Sequence, residues 1–319
     1  MKYLNKTHII ELNDNWSELF SVIKDAINAV GLNDFSQPLK PYLRFNKDKK
    51  NRIIAMPAYI GGNVDMAGIK WIASFPSNIE KGLDRANSTT ILNNSDTGMI
   101  ECIVNTAEIS SIRTAAVTGA FIKKIFQVKP FPEEIKIGII GYGPIAKMHV
   151  SMLKELFAGK KYHINVCEIN YKKSEEHDPS LNFYNSFESF FETSDIIITA
   201  TNSSQPYIDK LPKKGSLHLN VSLRDYQDVF FKNVDKVFVD NWEEVCRENT
   251  DIERLYLFAE LKKSDTIDLI ELFTSEGTLE NISDTDILSF NPMGMAVFDI
   301  AVADYFHKKS VIKNKGINL

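Results

Sequence analysis

Apolar positions along the chain fall into three regimes. In the first third, Trp16, Leu19, Phe20, Ile23, Ala26, Ile27 and Val30 recur at helical spacing, with Asn13 or Asp14 available as a cap and Gly31 as a stop. Short strand-like runs follow at Leu39–Phe45, Ile53–Tyr59, Ala67–Phe75, Thr89–Leu92 and Met99–Asn105. The turn chemistry of Asn93–Gly98 predicts a hairpin between the last two. A long helix is expected from Thr106 to Phe126, and Pro130 and Pro132 after it mark a domain crossing.

The middle alternates strand and helix. Strands are predicted at Lys136–Ile140, His163–Ile169, Ile196–Ala200, Leu217–Leu223 and Lys236–Asp240, and helices at Pro144–Phe157 and Phe187–Glu192. Apolar strands alternating with helices call for a parallel sheet covered on both faces. The polar stretch NYKKSEEHDPSL before Asn182 is too short for an ordinary crossover helix, so the 170–182 connection is read as truncated or looped. The tail, NPMGMAVFDIAVADYFHKK (291–309), is helical in pattern.

Composition narrows the function classes. The 319 residues suggest about two domains. With 37 basic and 42 acidic side chains the net charge is −5, which excludes a generic cationic surface for nucleic acid or anionic membrane. No apolar run approaches the roughly 20 residues of a spanning helix. The opening MKYLNKTHIIELNDNW has no signal-peptide core, so the expected location is cytoplasmic. Cys102, Cys167 and Cys246 stand far apart and the six histidines show no ligand spacing, so neither a disulfide framework nor a metal is expected.

The sharpest local signal is KIGIIGYGPIAKMHV, residues 136–150. Gly141-x-Gly143-x-x-Ala146 directly follows an apolar strand and opens a helix. Gly141 permits the tight turn, Gly143 lets backbone approach a pyrophosphate, and Ala146 allows close helix–strand packing. The helix N-terminus, with Pro144 and Ile145 in its first turn, offers amides and a positive dipole to phosphate. Glu168 ends the next strand, 22 residues after Ala146. A carboxylate there can bond the ribose hydroxyls and repels a 2′-phosphate, which points to NAD. Thr199 and Thr201, at the end of a later strand, are candidate cofactor contacts. His149, His163 and Cys167 are read as packing residues, and the role of Asp299 is open.

Cations stand in strand-like or small-residue contexts in the first third: Arg44 in PYLR, Arg52 in RIIAMP, Lys70 in AGIKWIASF, Arg85 in DRANSTTIL and Arg113 in SSIRTAA. Such cations suit carboxylate clamping. The segments AGIKWIASFP, EISSIRTAA, IGYGPIA and NPMGMAVFDIA resemble the ornithine cyclodeaminase/μ-crystallin family. QPLKPYLR, RIIAMPAYIGG and SSQPYI resemble its 2,3-diaminopropionate-forming branch. The resemblance covers nearly the whole chain. It implies an α/β protein with a Rossmann dinucleotide-binding domain (128–290) inserted into a discontinuous α+β substrate and dimerisation domain (1–127 plus 291–319), working as a homodimer.

The resemblance also implies roles. Lys70 matches the family's active-site lysine and Asp225 its catalytic aspartate, with Asp225 the expected general base. Arg44 and Arg113 match substrate carboxylate ligands, and Arg52 and Arg85 join them as further clamps. Ser222 and Asn291, in segments flanking these matches, complete the expected cofactor set. Tyr226-Gln227 follows Asp225 where cyclodeaminases carry a PGK-type run, and Arg85 stands where they carry threonine. Both departures argue against ornithine and for a small polycarboxylate. The implied activity is NAD-dependent oxidation of a secondary amine joining glutamate to 2,3-diaminopropionate, for siderophore or peptide natural-product assembly. The rivals are a cyclodeaminase-type lyase, a ketimine or imino-acid reductase, and a dinucleotide-dependent binding protein without turnover.

Overall fold

The computed structural model describes residues 1–48, 50–169 and 178–319. The chain opens with β1 (Lys2–Asn5), α1 (Lys6–Leu12), α2 (Trp16–Gly31), β2 (Phe35–Ser36), β3 (Tyr42–Arg44), β4 (Arg52–Ile60), β5 (Met66–Ser74), β6 (Ala86–Asn94), β7 (Ile100–Asn105) and α3 (Glu108–Ile125). The middle runs through β8 (Glu134–Ile140), α4 (Pro144–Leu156), β9 (Lys161–Cys167), β10 (Leu181–Tyr184), α5 (Glu188–Phe191), β11 (Ile196–Thr199), β12 (Leu217–Asn220), α6 (Asp228–Phe231), β13 (Lys236–Val239), α7 (Trp242–Val245), α8 (Asp251–Phe258), β14 (Thr266–Asp268), α9 (Leu269–Thr274), α10 (Glu276–Glu280) and β15 (Leu288–Asn291). α11 (Ala296–Ile312) and β16 (Ile317–Asn318) end it. The chain divides into two compact units, Met1–Ala120 with Met295–Leu319, and Phe121–Gly294.

The first unit is built on a mixed sheet of order β16-β1-β7-β6-β5-β4-β2, with β3 also pairing β4. β4, β5 and β6 are each nine residues long and antiparallel, in continuous register. Residues directly opposite in such a pair share a face, so the row Met56–Lys70–Thr90 fixes which side chains point together. α11 packs against β4, β5 and α2. Its residues Ala296–Ala303 are all buried, as expected of a helix that is apolar nearly all round. α2 lays its predicted stripe, Trp16 to Ile27, into the core, with Ala29 buried beside it and the predicted Val30 only half-buried. Its cap is Asn15 rather than Asn13 or Asp14, because Asn15 immediately precedes the first turn and its side chain accepts from Glu18 N at 3.0 Å.

The second unit is a parallel sheet of order β10-β9-β8-β11-β12-β15-β13-β14. Ile196, Ile197 and Ile198 of β11 are fully buried, as both-faced coverage requires. Strand order reverses between β8 and β11, the topological switch point at which open α/β sheets bind ligands beyond their strand C-termini. β1, α1, β2, β10, α6, α7, α8, β14, α9, α10, β15 and β16 were not expected from periodicity. β15 corrects the reading of 291–309 as one helix. Asn291 is the last residue of a strand wedged between β12 and β13, and the helix starts only at Ala296. Much of the 170–182 connection, residues 170–177, lies outside the described residues. No helix among the described residues is long and apolar enough to cross a membrane.

Candidate functional site

The phosphate loop sits at the switch point. Gly141 has φ +88°, and a Cβ built there would lie 2.6 Å from the Ala200 carbonyl oxygen, in the turn after β11. Only glycine fits that turn. Gly143 differs: it caps α4 with extended backbone, and a Cβ there meets nothing within 4 Å. The space above it is open at the N-terminus of a 13-residue helix, where unpaired amides and the dipole favour phosphate. Pro144 and Ile145 are exposed in the first turn and Ala146 is buried against the sheet. Glu168 follows β9, and its Oε2 accepts from Tyr142 N at 3.0 Å, so the acid is tied to the glycine loop. Glycines, helix terminus and acid therefore fit a dinucleotide, with the loop for its pyrophosphate and Glu168 for its ribose.

Asp225 lies in a cradle of hydroxyls. Thr201 Oγ1 donates to its Oδ1 and Ser222 Oγ to its Oδ2. Its backbone carbonyl accepts from Tyr207 N (2.9 Å) and Ile208 N (2.8 Å). The carboxylate is fully buried, and burial pushes its pKa up against the hydroxyl donors, which pull the other way. Its loop is pinned from below: Leu223 takes φ +65°, donates its N–H to Asn220 Oδ1 (3.0 Å) and offers its carbonyl to Asp251 N (2.7 Å). A β-substituted residue held at positive φ marks a strained, tightly specified turn.

Three expected cofactor residues are otherwise engaged. Thr199 is fully buried and donates to Asn220 Oδ1 (3.2 Å). Asn291, also fully buried, accepts from Asn220 Nδ2 (2.8 Å) and donates to Ser289 Oγ (3.1 Å). Ser222 spends its hydroxyl on Asp225. These side chains form the polar core that holds the β11 and β12 loops. Asn220, which joins Thr199 and Asn291, was not revealed by periodicity.

In the first unit Lys70 is 1% exposed, and its Nζ lies 2.8 Å from Asp299 Oδ1 and 3.1 Å from Ser110 Oγ. Arg113 Nε reaches the same Asp299 Oδ1 at 2.9 Å. Burial lowers the Lys70 pKa to about 8; Asp299 opposes this, while Arg113 and Lys40 add to it. Burial would raise the Asp299 pKa, but Arg113 and Lys70 outweigh it and hold the group below its ordinary value. Lys40, itself 3% exposed, was not singled out in the sequence, although a lysine between Leu39 and Pro41 was a usable signal.

Arg44 and Arg52 stand directly opposite one another on β3 and β4, flanking Tyr42 with guanidinium carbons 5.4 and 5.7 Å from its ring centroid. Arg52 also pairs with Ser74. Since Ser74 is four residues from Lys70 on β5, pleat alternation puts Arg44, Arg52 and Lys70 on one face. Two like charges opposite each other disfavour a sheet, which suits a receptor for an anion. Arg85 lies one residue before β6, outside the strand pairing, and its carbonyl accepts from Phe75 N (2.8 Å).

His149 is buried and bonded to Ile145 O (2.8 Å), and burial lowers its pKa to about 4; His163 bonds Glu134 at the surface (2.9 Å). Among the described residues no group of three or more His, Cys, Asp or Glu gathers to hold a metal.

Known proteins share this architecture. The structure matches a Δ(1)-pyrroline-2-carboxylate reductase of Thermococcus litoralis, solved with NADH and L-proline, with a TM-score of 0.88 at 21% identity over all of both chains. In sequence the chain is 26% identical to an alanine dehydrogenase of Archaeoglobus fulgidus, covering 94% of this chain and 92% of that one. It is 33% identical to the N-((2S)-2-amino-2-carboxyethyl)-L-glutamate dehydrogenase of Staphylococcus aureus, covering 100% of this chain and 98% of that protein. The family model for ornithine cyclodeaminase/mu-crystallin proteins matches residues 2–314. With glycine loop, acid, buried lysine and sequence all in agreement, the chain belongs to the ornithine cyclodeaminase/mu-crystallin family.

Proposed function

We propose that this protein is an NAD-dependent oxidoreductase of CH–NH donors. It cleaves N-(2-amino-2-carboxyethyl)-L-glutamate oxidatively into 2-oxoglutarate and L-2,3-diaminopropionate, as a cytoplasmic homodimer. The observation that carries the reading is two separate groups of cations, Lys70 of β5 with Arg113 of α3, and the Arg44–Arg52 pair on the Lys70 face of the sheet, each suited to a carboxylate. A substrate with one carboxylate, such as ornithine, needs only one. The full-length similarity to the staphylococcal enzyme, whose name specifies this amine, supports the same substrate.

NAD, bound by the Gly141–Ala146 loop and Glu168, supplies a hydride acceptor for the glutamate α-carbon. The residues of this chain do the rest. Arg113 and Lys70 hold one carboxylate, and the planar forks of Arg44 and Arg52 hold another in bidentate fashion. Fixing the substrate at two ends sets the reacting carbon's distance and face. Asp225, whose pKa burial raises above the ordinary carboxylate value, is assigned as the general base for the amine proton and then for the water that hydrolyses the imine. Lys70, near 8, shares protons at the same pH.

The test is absorbance at 340 nm with NAD⁺ and the secondary amine, followed by identification of both products. NADH with 2-oxoglutarate and diaminopropionate supports the reading. Ornithine converted to proline and ammonia without net NADH would make the protein a lyase. NADH oxidation with cyclic imino acids alone would make it a reductase, and binding without turnover would make it a carrier.

A further inference from the structure

Asp299 carries more than packing. It is a carboxylate with no solvent exposure, in the first turn of a helix whose neighbouring residues are all apolar and buried. One oxygen, Oδ1, receives both the Lys70 ammonium (2.8 Å) and the Arg113 Nε–H (2.9 Å). The other, Oδ2, is buried with no hydrogen-bond partner among the described residues. An orphaned carboxylate oxygen is costly and persists where the surrounding structure gains from the charge. Three elements meet at Oδ1: β5 through Lys70, α3 through Arg113, and α11 through Asp299 itself.

We propose that Asp299 is a positioning residue that registers the Lys70 ammonium against the Arg113 guanidinium and keeps Lys70 protonatable in a buried setting. The proposal deepens the reading of this face as a carboxylate receptor and rests on it. Two cations would otherwise repel one another and turn apart. A carboxylate bridging them leaves the remaining donors of both, the four terminal N–H groups of the guanidinium and the third of the ammonium, to converge on an incoming carboxylate. The charges facing Lys70 are Asp299 from α11, Arg113 from α3 and Lys40 from the segment before β3; Ser110 of α3 adds a neutral contact. Of these only Asp299 favours the charged lysine, so its removal has one direction.

The experiment uses the full-length protein labelled with ¹³Cε-lysine, with the Lys70 resonance assigned by its loss in Lys70→Arg. It needs no substrate, so it stands apart from the oxidoreductase assay. In Asp299→Asn, the Lys70 midpoint falls by at least one pH unit, while Ser110→Ala moves it by less than half a unit. In turnover, the pH limb of kcat/KM that Lys70→Arg perturbs moves down by the same amount. Asp299→Glu keeps the charge but displaces it: its Lys70 midpoint stays within half a unit while KM rises at least tenfold. Retained NADH binding by fluorescence checks that each variant is folded. An unmoved Lys70 midpoint in Asp299→Asn overturns the electrostatic half. Should that variant fail to fold, wild-type KM in Asp299→Glu overturns the positioning half. A shifted midpoint in a protein that never oxidises the amine leaves the Asp299 role standing and removes the substrate assignment.

Discussion

Two glycines of one loop are expected to fail in opposite ways. Gly141 has φ +88°, and its Cβ position lies 2.6 Å from the Ala200 carbonyl oxygen. Alanine there meets a left-handed penalty of about 1–2 kcal/mol. It also forces apart the turns after β8 and β11, adding on the order of 1–2 kcal/mol of backbone strain. A loss of about 3 kcal/mol corresponds to a Tm drop of roughly 6–12 °C for a unit of this size. Gly143 has ordinary extended backbone and open space around its Cβ position. Alanine there is the poorer cap, costing about 0.5–1 kcal/mol, yet it sets a methyl where a pyrophosphate must approach the amides. Its expected effect is NADH affinity down at least tenfold, about 1.4 kcal/mol, with Tm lowered by no more than about 4 °C. The assays are thermal unfolding without cofactor and NADH fluorescence titration. The reasoning is refuted if Gly143→Ala binds NADH as the wild type does, or if Gly141→Ala unfolds at the wild-type temperature.

Further outcomes follow from other contacts. Glu168→Ala should weaken NAD⁺ binding about tenfold and bring measurable use of NADP⁺, read by comparing kcat/KM for the two; unchanged preference would detach Glu168 from the ribose. Arg52→Ala should change Tm little, since relief of the charge opposite Arg44, worth about 0.2–1 kcal/mol, is set against loss of the Arg52–Tyr42 contact. It should also raise the amine KM tenfold or more, and a lower Tm with unchanged KM would assign Arg52 to structure. The Lys70 pKa is depressed to about 8 in the folded state from 10.5. Between these values the unfolded chain binds more protons, so this group makes unfolding harder as pH rises from 8 to 10.5, by about 3 kcal/mol in total. Denaturant titrations of wild type and Lys70→Met at several pH values should diverge by that amount across this window and run parallel below pH 7; parallel curves throughout would refute the buried-charge account.

How far the sequence reveals this architecture depends on whether the signal is local. The glycine loop, the acid at the end of the next strand and the nine-residue strands of the first unit announce themselves, because turn chemistry and apolar periodicity are properties of adjacent residues. β15 does not. LSFN is four residues long, is fully buried, and owes its conformation to β12 and β13 on either side. The same limit governs the site. Lys70 and Arg113 stand out as cations in apolar surroundings, and Asp299 as an acid between Phe298 and Ile300. That one carboxylate oxygen joins all three is a fact about β5, α3 and α11 together, separated by 186 residues from Arg113 to Asp299. Thr199, Ser222 and Asn291 are legible in the sequence only in part. Each lies where a cofactor contact is expected, but buried polar side chains must be satisfied, and each is satisfied inside the protein.

Arg52 and Arg85 show a limit more general than this chain. A cation beside a strand is as suggestive in sequence as one within it, yet a shift of one residue reverses the face it occupies. Arg52 and Arg85 are equally plausible on paper. The pairings Arg44–Arg52 and Arg52–Ser74 put Arg52 on the Lys70 face, whereas Arg85 lies just outside β6 and its face is not set by the ladder. In the proposed reading, Arg44, Arg52, Arg113 and Lys70 are then the cations that the fold itself supports as substrate contacts. That set makes two proposed receptors, one arginine pair and one cluster bridged by Asp299, and two receptors would distinguish a polycarboxylate amine from ornithine.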